Sequence, residues 1–322
     1  MSFKTPLCDL LGVDVPIMLA GMGGVSYADV CAAVSNAGGY GTLGMANEGP
    51  DGIREEMKKV RDLTDRPFGV DLLTAVPESL TRSVDVIIEG GASSFIAGLG
   101  VPDSILKALK DAGLLVMSMC GTVRHAEKAA AAGVDVVIAQ GTEGGGHTGK
   151  VAGMALIPQV VDAVDIPVVA AGSIVDGRGL AAALAFGAQG VWMGTRFIAS
   201  HEARAALAYK ESLVGARDTD TIVTRCYSGK TMRVVNNPYV QDWEQRPQDL
   251  QPFPQQAVAS AQADVMGGIG GKIEGLDPDK DCMPAGQGTG AIAEILSCAE
   301  IVDRTMNEAE QVLGRLAGVI GR

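Results

Sequence analysis

Eight short apolar runs, each followed by a stretch of helical periodicity, fill the segment from Val15 to Thr195, and nothing else in the chain restricts its fold as tightly. The runs are Val15–Ala20, Gly39–Gly44, Pro67–Leu72, Ser93–Ala97, Leu114–Met119, Val134–Gln140, Ile166–Ala171 and Gln189–Gly194. A strand with one wet face alternates apolar and polar residues. These runs are almost continuous in Val, Ile, Leu, Met and Ala, as strands covered on both faces must be. Between them lie amphipathic stretches such as Ser26–Ala37, Gly52–Leu63, Asp103–Ala112 and Val123–Ala132, several ending in Ala-Gly or Gly-Gly where a helix C-cap falls. Repeated strand-helix units build a parallel sheet, and eight of them close most naturally into a (β/α)8 TIM barrel. An open doubly wound sheet would usually have fewer strands and a dinucleotide fingerprint in its first turn. Here that turn reads Gly21-Met22-Gly23-Gly24, and no acidic residue at the end of the second run is placed for a ribose.

The alternation stops after Thr195. Residues from about His201 to Met283 read as helix, a short β-like piece at Thr221–Cys226, a Pro- and Gln-rich loop at Gln245–Gln256, a helix over Ala257–Lys272 running into glycines, and a charged stretch Glu274–Asp281 resembling a solvated linker. This predicts a barrel from 1–200 and 284–322, with a smaller, mainly helical unit inserted at 201–283 as a substrate-facing lid. From Ala291 to the end the pattern is helical, with Ile292, Ile295, Leu296, Ile301 and Val302 on one apolar stripe. That stripe suits either the barrel wall or a second subunit, which would make a homodimer.

A formal charge of −12 opposes binding to nucleic acid or to anionic membranes, both of which need a basic surface. No apolar run reaches the length of a membrane span. The six cysteines (Cys8, Cys31, Cys120, Cys226, Cys282 and Cys298) are scattered without close pairing and no signal stretch opens the chain, so a reduced, cytoplasmic protein is expected.

In such barrels the reactive face is built from loops at the C-terminal ends of the strands. The seventh turn, Ala170-Ala171-Gly172-Ser173-Ile174, and the eighth, Met193-Gly194-Thr195-Arg196, offer small residues whose N–H groups and hydroxyls can surround an anion. A side chain at Gly172 or Gly194 would stand between backbone and phosphate. Glycine in one tight turn needs no ligand to explain it, but two such turns on adjacent strands point to a phosphorylated molecule. The run Gln140-Gly141-Thr142-Glu143-Gly144-Gly145-Gly146-His147-Thr148-Gly149 can lie flat against a planar ligand and carries an imidazole to the barrel mouth. With its near-neutral pKa, His147 suits a general acid or base. A lone histidine is more often structural, yet this one has few side chains around it to pack against. His125, in a helical pattern, and His201, at the start of the insertion, suit surface or capping roles. No second histidine or cysteine stands at zinc-ligand spacing from His147, so no metal is expected. A GxSxG elbow is absent, and Cys120 reads as a small buried residue.

The stretch QGTEGGGHTGK, the following Met154-Ala155-Leu156-Ile157-Pro158-Gln159, and AAGSIVDGRGLAAALAFGAQGVWMGTRF together resemble the nitronate monooxygenase (2-nitropropane dioxygenase) family and its relative, the FMN-dependent enoyl-acyl-carrier-protein reductases. The likeness runs from Thr5-Pro6-Leu7 and Pro16-Ile17-Met18 to Pro284-Ala285-Gly286-Gln287. It implies FMN, with Gly172, Ser173, Gly194 and Thr195 around its phosphate and Gly21, Met22 and Gly23 supporting the ring. It further implies Gln140 at the ribityl chain or ring, Gly145 lining the cofactor, Gly286 and Gln287 closing over it, and His147 as the catalytic histidine. One departure stands out: the third strand often ends Gly-Val-Asn in these proteins and here reads Gly69-Val70-Asp71. A carboxylate there would add negative charge near flavin or substrate, or accept hydrogen bonds from nearby amides.

The resemblance implies oxidation of a nitronate or nitroalkane with O2 to a carbonyl compound and nitrite, His147 handling the α-proton. A second reading is an NAD(P)H-linked reductase or dehydrogenase of an enoyl or other acyl thioester, which the Tyr209–Val223 stretch and the Met-Ala-Leu-Ile-Pro-Gln run also resemble. NADH:quinone reduction is a third. A barrel that merely stores or senses flavin would need no histidine in the cofactor loop.

Overall fold

The computed structural model describes residues 4–73, 77–98 and 100–319. Eight parallel strands follow one another around a barrel: β1 (Ile17–Leu19), β2 (Gly41–Gly44), β3 (Phe68–Leu72), β4 (Ser94–Ala97), β5 (Leu115–Cys120), β6 (Val136–Gln140), then β8 (Val168–Ala171) and β9 (Gly190–Met193). A two-residue strand, β7 (Gly146–His147), lies outside this sheet. Parallel pairing runs from β2 through β3, β4, β5, β6, β8 and β9 to β1, and a bridge between Met18 and Tyr40 joins the two ends. Leu19 N–H donates to Tyr40 O and Tyr40 N–H to Ile17 O, both at 2.9 Å. The chain is a (β/α)8 TIM barrel.

The near-continuous apolar runs now have their physical reason. Successive side chains point to opposite faces: Ile17 and Leu19 pack outward against helices while Met18 points into the barrel, and Val137 and Ala139 point outward while Val136 and Ile138 point in. The interior is plugged by side chains from several strands, among them Tyr40, Ile96, Met117, Val169 and Trp192. The N-terminal helix Pro6–Leu11 adds Leu7, Cys8 and Leu11 to the same cluster, close to the strand starts, where Thr5 Oγ1 donates to Gln189 O. A barrel filled at one end in this way leaves only the opposite, C-terminal rim open for a ligand.

The segment after the eighth barrel strand forms the β-like piece expected near Thr221–Cys226 and adds a second strand to it. Strand β10 (Thr221–Thr224) pairs antiparallel with β11 (Met232–Val235), and β11 pairs with β7. A separate small core of Cys226, Tyr227, Met232, Val234, Val240, Val265 and Cys282 lies beneath. The stretch read as a solvated linker ends in a fully buried residue. Asp281 accepts from Gly267 N–H at 3.1 Å and Asp277 N–H at 2.8 Å, and Lys272 Nζ lies 3.8 Å from its Oδ2, so the buried carboxyl is met by backbone donors and a lysine. The last helix begins at Cys298, not at Ala291. Ile292 and Leu296 are buried through a non-helical approach, in which Leu296 bridges to Ser200. No helix among the described residues is long and apolar enough to cross a membrane.

Candidate active site

A cavity of about 1390 Å³ opens at the C-terminal rim of the barrel. Typical small-molecule sites occupy roughly 300–1,000 Å³, so there is space for a cofactor and a second ligand together. Gly21, Met22, Gly23, Asp71, Gln140, Gly145, His147, Gly172, Ser173, Gly194 and Thr195 all line it. Gly286 and Gln287 stand behind the lining instead. Gly286 N–H donates to Thr195 Oγ1 at 3.0 Å, and Gln287 N–H donates to Glu143 O at 3.0 Å.

The seventh and eighth turns follow β8 and β9. Gly172 has φ +112°, a conformation L side chains rarely adopt, and Ser173 follows at φ +53°. This left-handed pair turns successive backbone N–H groups toward the cavity, the concave arrangement that binds anions. The N–H groups of Ser173, Ile174 and Thr195 donate to no acceptor among the described residues, although all three residues line the cavity. The Ser173 hydroxyl is already engaged, donating to Glu143 O at 2.7 Å and accepting from Gly288 N–H at 2.9 Å. The cradle therefore fits a phosphate by its backbone donors, with hydroxyls serving mainly to hold the turns in place.

The glycine-rich loop is braced from three sides. Gln140 Nε2 donates to His147 O at 3.0 Å, and the Glu143 carboxylate accepts Gly153 N–H at 2.9 and 3.0 Å, tying the loop to the next helix. Strand β7 pairs with β11, placing His147 opposite Met232 and Gly146 opposite Arg233. His147 Nε2 lies 3.0 Å from Ser228 Oγ. When the Ser228 proton points to Lys230 O, 3.2 Å away, Nε2 is the donor and Nδ1 keeps the lone pair that a base requires. His147 lines the cavity with part of its surface open to solvent, and its pKa is lowered, first by desolvation and then by the Lys230 charge. The ring is consequently neutral at pH 7, ready to take a proton.

On the floor, Asp71 stands next to last in β3, beside the first turn. A methyl group on Gly21 would stand 2.7 Å from Asp71 Cγ and nearer still to its Cβ, so only glycine allows this approach. No amide donates to the Asp71 carboxyl among the described residues; the expectation that nearby amides satisfy it is not met. Burial alone pushes its pKa up to about 8. Cys120 also lines the cavity, but burial raises its thiol to about 11, so it is no thiolate at neutral pH.

The mouth holds what the sequence did not reveal. Lys128, Lys150, Arg225 and Lys230 line it, and Asp71 on the floor is the sole carboxylate among the described lining residues. None of the four pairs with a carboxylate among the described residues. Arg225 Nε donates to Gly229 O at 3.0 Å, and Lys230 Nζ sits 4.1 Å from the centre of the Phe253 ring. In a chain with 38 acidic against 26 basic residues, this reversal of charge at one opening is a local feature with a local purpose. Lys150 ends the motif containing His147, whereas the other three come from distant segments, and only the fold brings them together. His125 lies at the same edge, exposed; His201 is exposed elsewhere, its N–H donating to Leu296 O.

Comparison with known proteins gives a family and two kinds of relative. The family model described as "Nitronate monooxygenase" matches residues 4–82 and 74–308. A protein of Rhodococcus jostii named (3aS,4S,5R,7aS)-5-hydroxy-7a-methyl-1-oxo-octahydro-1H-indene-4-carboxyl-CoA dehydrogenase is 41% identical over 243 residues, covering 76% of this chain and 69% of that protein. The solved structure of FabK from Thermotoga maritima superposes with a TM-score of 0.91 at 35% identity, covering 98% of this chain and 99% of the other. A nitroalkane oxidase from Streptomyces ansochromogenes superposes with a TM-score of 0.82 at 30% identity, covering 95% and 99%.

Proposed function

Since the chain belongs to the nitronate monooxygenase family, an oxidoreductase family of flavoproteins, we propose that it binds FMN and acts on the acyl thioester of a coenzyme A-type substrate. The observation that carries this reading is the cluster of four cations, paired with no carboxylate among the described residues, at the mouth of an otherwise acidic protein. Coenzyme A carries a diphosphate and a separate phosphate at the end remote from the thioester. A substrate of that length would leave these groups at the mouth while the reacting carbon lies deep inside. A nitronate has one small charged group and no use for a wide cationic rim. The Rhodococcus relative, named for a carboxyl-CoA substrate, supports the same choice.

FMN, when bound, would supply the two-electron redox chemistry. The chain's own contributions follow from the geometry. Backbone N–H groups of Ser173, Ile174 and Thr195 would hold the phosphate, with Gly172 and Gly194 keeping the turns slim. Gly21, Met22, Gly23, Gln140 and Gly145 would bound the planar region. Neutral His147, oriented by Ser228, would hold the proton that leaves or joins the carbon beside the thioester carbonyl. The segment 201–283 would form the substrate-facing wall, since it supplies Ser228, Lys230 and Arg225.

A second reading, nitronate oxidation with O2, keeps the same cofactor and proton-handling roles, and the match to a nitroalkane oxidase structure favours it. The two separate on rim variants. An exposed ion pair contributes about 0.2–1 kcal/mol, or roughly 1.4-fold to fivefold. Lys128→Gln and Lys150→Gln should each raise KM for an acyl-CoA by that factor and together by about the product, with kcat little changed. If acyl-CoA kinetics ignore both substitutions at low salt, the thioester reading fails.

A further inference from the structure

We propose that the Asp71 side chain serves the bound flavin as a protonated hydrogen-bond donor, so that cofactor binding and proton occupancy at this carboxyl are linked. The inference rests on the flavin reading above and adds a residue-specific role that a phosphate cradle does not require.

Three observations lead to it. Asp71 lies near the end of β3 on the cavity floor, and its carboxyl finds neither donor nor acceptor among the described residues. The side chain is half-buried and faces the cavity, so a ligand or solvent there is the partner open to it. Its position is fixed: the backbone pairs with Gly44 and Ile96 on either side, Asp71 O accepts Met45 N–H at 3.0 Å, and Gly21 packs directly against its Cβ and Cγ. The base of the side chain is therefore held in place, and its carboxyl opens to the cavity beside the first turn.

The third observation concerns charge. The elements packed against Asp71 are the β1 turn (Ala20 to Gly23), β2 with Met45, and β4 with Gly98, and none contains an ionisable side chain. The other titratable groups lining the cavity are Cys120, His125, His147 and Tyr209 and the four cations at the mouth, and burial alone moves the Asp71 pKa. With nothing nearby to stabilise a carboxylate, the acid form prevails at neutral pH, and a neutral carboxylic acid can donate to a ring carbonyl or nitrogen. The neutral form also places no negative charge beside a flavin that gains electron density on reduction.

The sign of the linkage follows. If the flavin engages the protonated form, its affinity is constant below the free-protein pKa of about 8 and falls as pH rises beyond it, by about tenfold per unit for one linked proton. The test is titration of flavin-free protein with FMN between pH 7 and 9.5, read by quenching of FMN fluorescence, for the wild type and Asp71→Asn. The lower bound lies above the phosphate's second ionisation, at about 6. Asp71→Asn, neutral at every pH, reports any dependence belonging to the flavin itself. The wild type should weaken about tenfold per unit above pH 8 relative to Asp71→Asn. Matching profiles, or wild-type affinity that improves with pH, would overturn the proposal while leaving the flavin reading standing. Absence of FMN binding at every pH would overturn both. Because the wild-type profile is itself diagnostic, a poorly folded variant would not obscure the answer.

Discussion

The contact between Gly21 and Asp71 can be tested by enlarging it. In Gly21→Ala the new methyl would lie 2.7 Å from Asp71 Cγ, whereas carbon atoms rest at about 3.5–4.0 Å. The gap must open by about 1 Å. Rotating the Asp71 side chain moves Cγ but not Cβ, and β3 is paired on both sides, so the first turn itself must shift. Overpacking of this kind costs about 1–3 kcal/mol; a backbone-anchored obstacle puts the cost near the top, about 2–3 kcal/mol. At roughly 2–4 °C per kcal/mol for a domain somewhat smaller than this chain, melting should fall by about 5–10 °C. Asp71→Gly removes the obstacle, so the double variant should recover about 1.5 kcal/mol or more relative to the sum of the single effects, a coupling expected only for residues in contact. Asp71→Ala, which keeps Cβ, should recover less. Thermal unfolding of the wild type and these variants, followed by circular dichroism, measures both quantities. A Gly21→Ala protein melting within about 1 °C of wild type, or single costs that simply add, would refute the packing of this floor.

Other consequences concern the proton. His147→Ala should lower kcat by about 10²- to 10⁴-fold, the usual contribution of a positioned acid or base, while FMN content of the purified protein is unchanged; loss of both together would make the residue structural. His147 has its pKa lowered, so the active neutral form is lost as pH falls through a value below the ordinary 6.5. Lys230→Gln removes one cause of that lowering, so the acidic limb of kcat/KM should move to higher pH, and a limb that stays or moves down contradicts the assignment. Gly172→Ala forces a side chain into φ +112°, with its Cβ 3.2 Å from Gly141 N. Strain of about 1–3 kcal/mol at the cradle should appear as weaker FMN binding by equilibrium dialysis, and unchanged affinity would remove the turn from the phosphate site.

The barrel was legible because burial on both strand faces leaves a mark within each run: Met18 between Ile17 and Leu19 needs no distant partner to read as sheet. The turns after β8 and β9 were legible for a similar reason, since small residues cluster locally there. What escaped is non-local. Ser228, which orients His147, lies 81 residues further along the chain, and the β7–β11 pairing that joins their segments has no signature in either. The charges at the mouth come from a barrel helix, a loop and the β10–β11 connection, so their convergence exists only in three dimensions. Composition misled at Glu274–Asp281, where the charged run ends in a carboxylate buried against backbone N–H groups. It also misled at Ile292 and Leu296, whose spacing imitates a helix that starts only at Cys298.

The most direct measurement is anaerobic mixing of the FMN-loaded protein with a panel of acyl-CoA thioesters and, separately, with propyl-2-nitronate, while the visible flavin band is followed; each acyl-CoA is tried both against the oxidised protein and, as its α,β-unsaturated form, against protein first reduced with dithionite. Bleaching or recovery of the band by at least one thioester, slowed in Lys128→Gln and Lys150→Gln and abolished in His147→Ala, is the predicted result. Bleaching by the nitronate alone, with every thioester silent in both directions, would contradict the account.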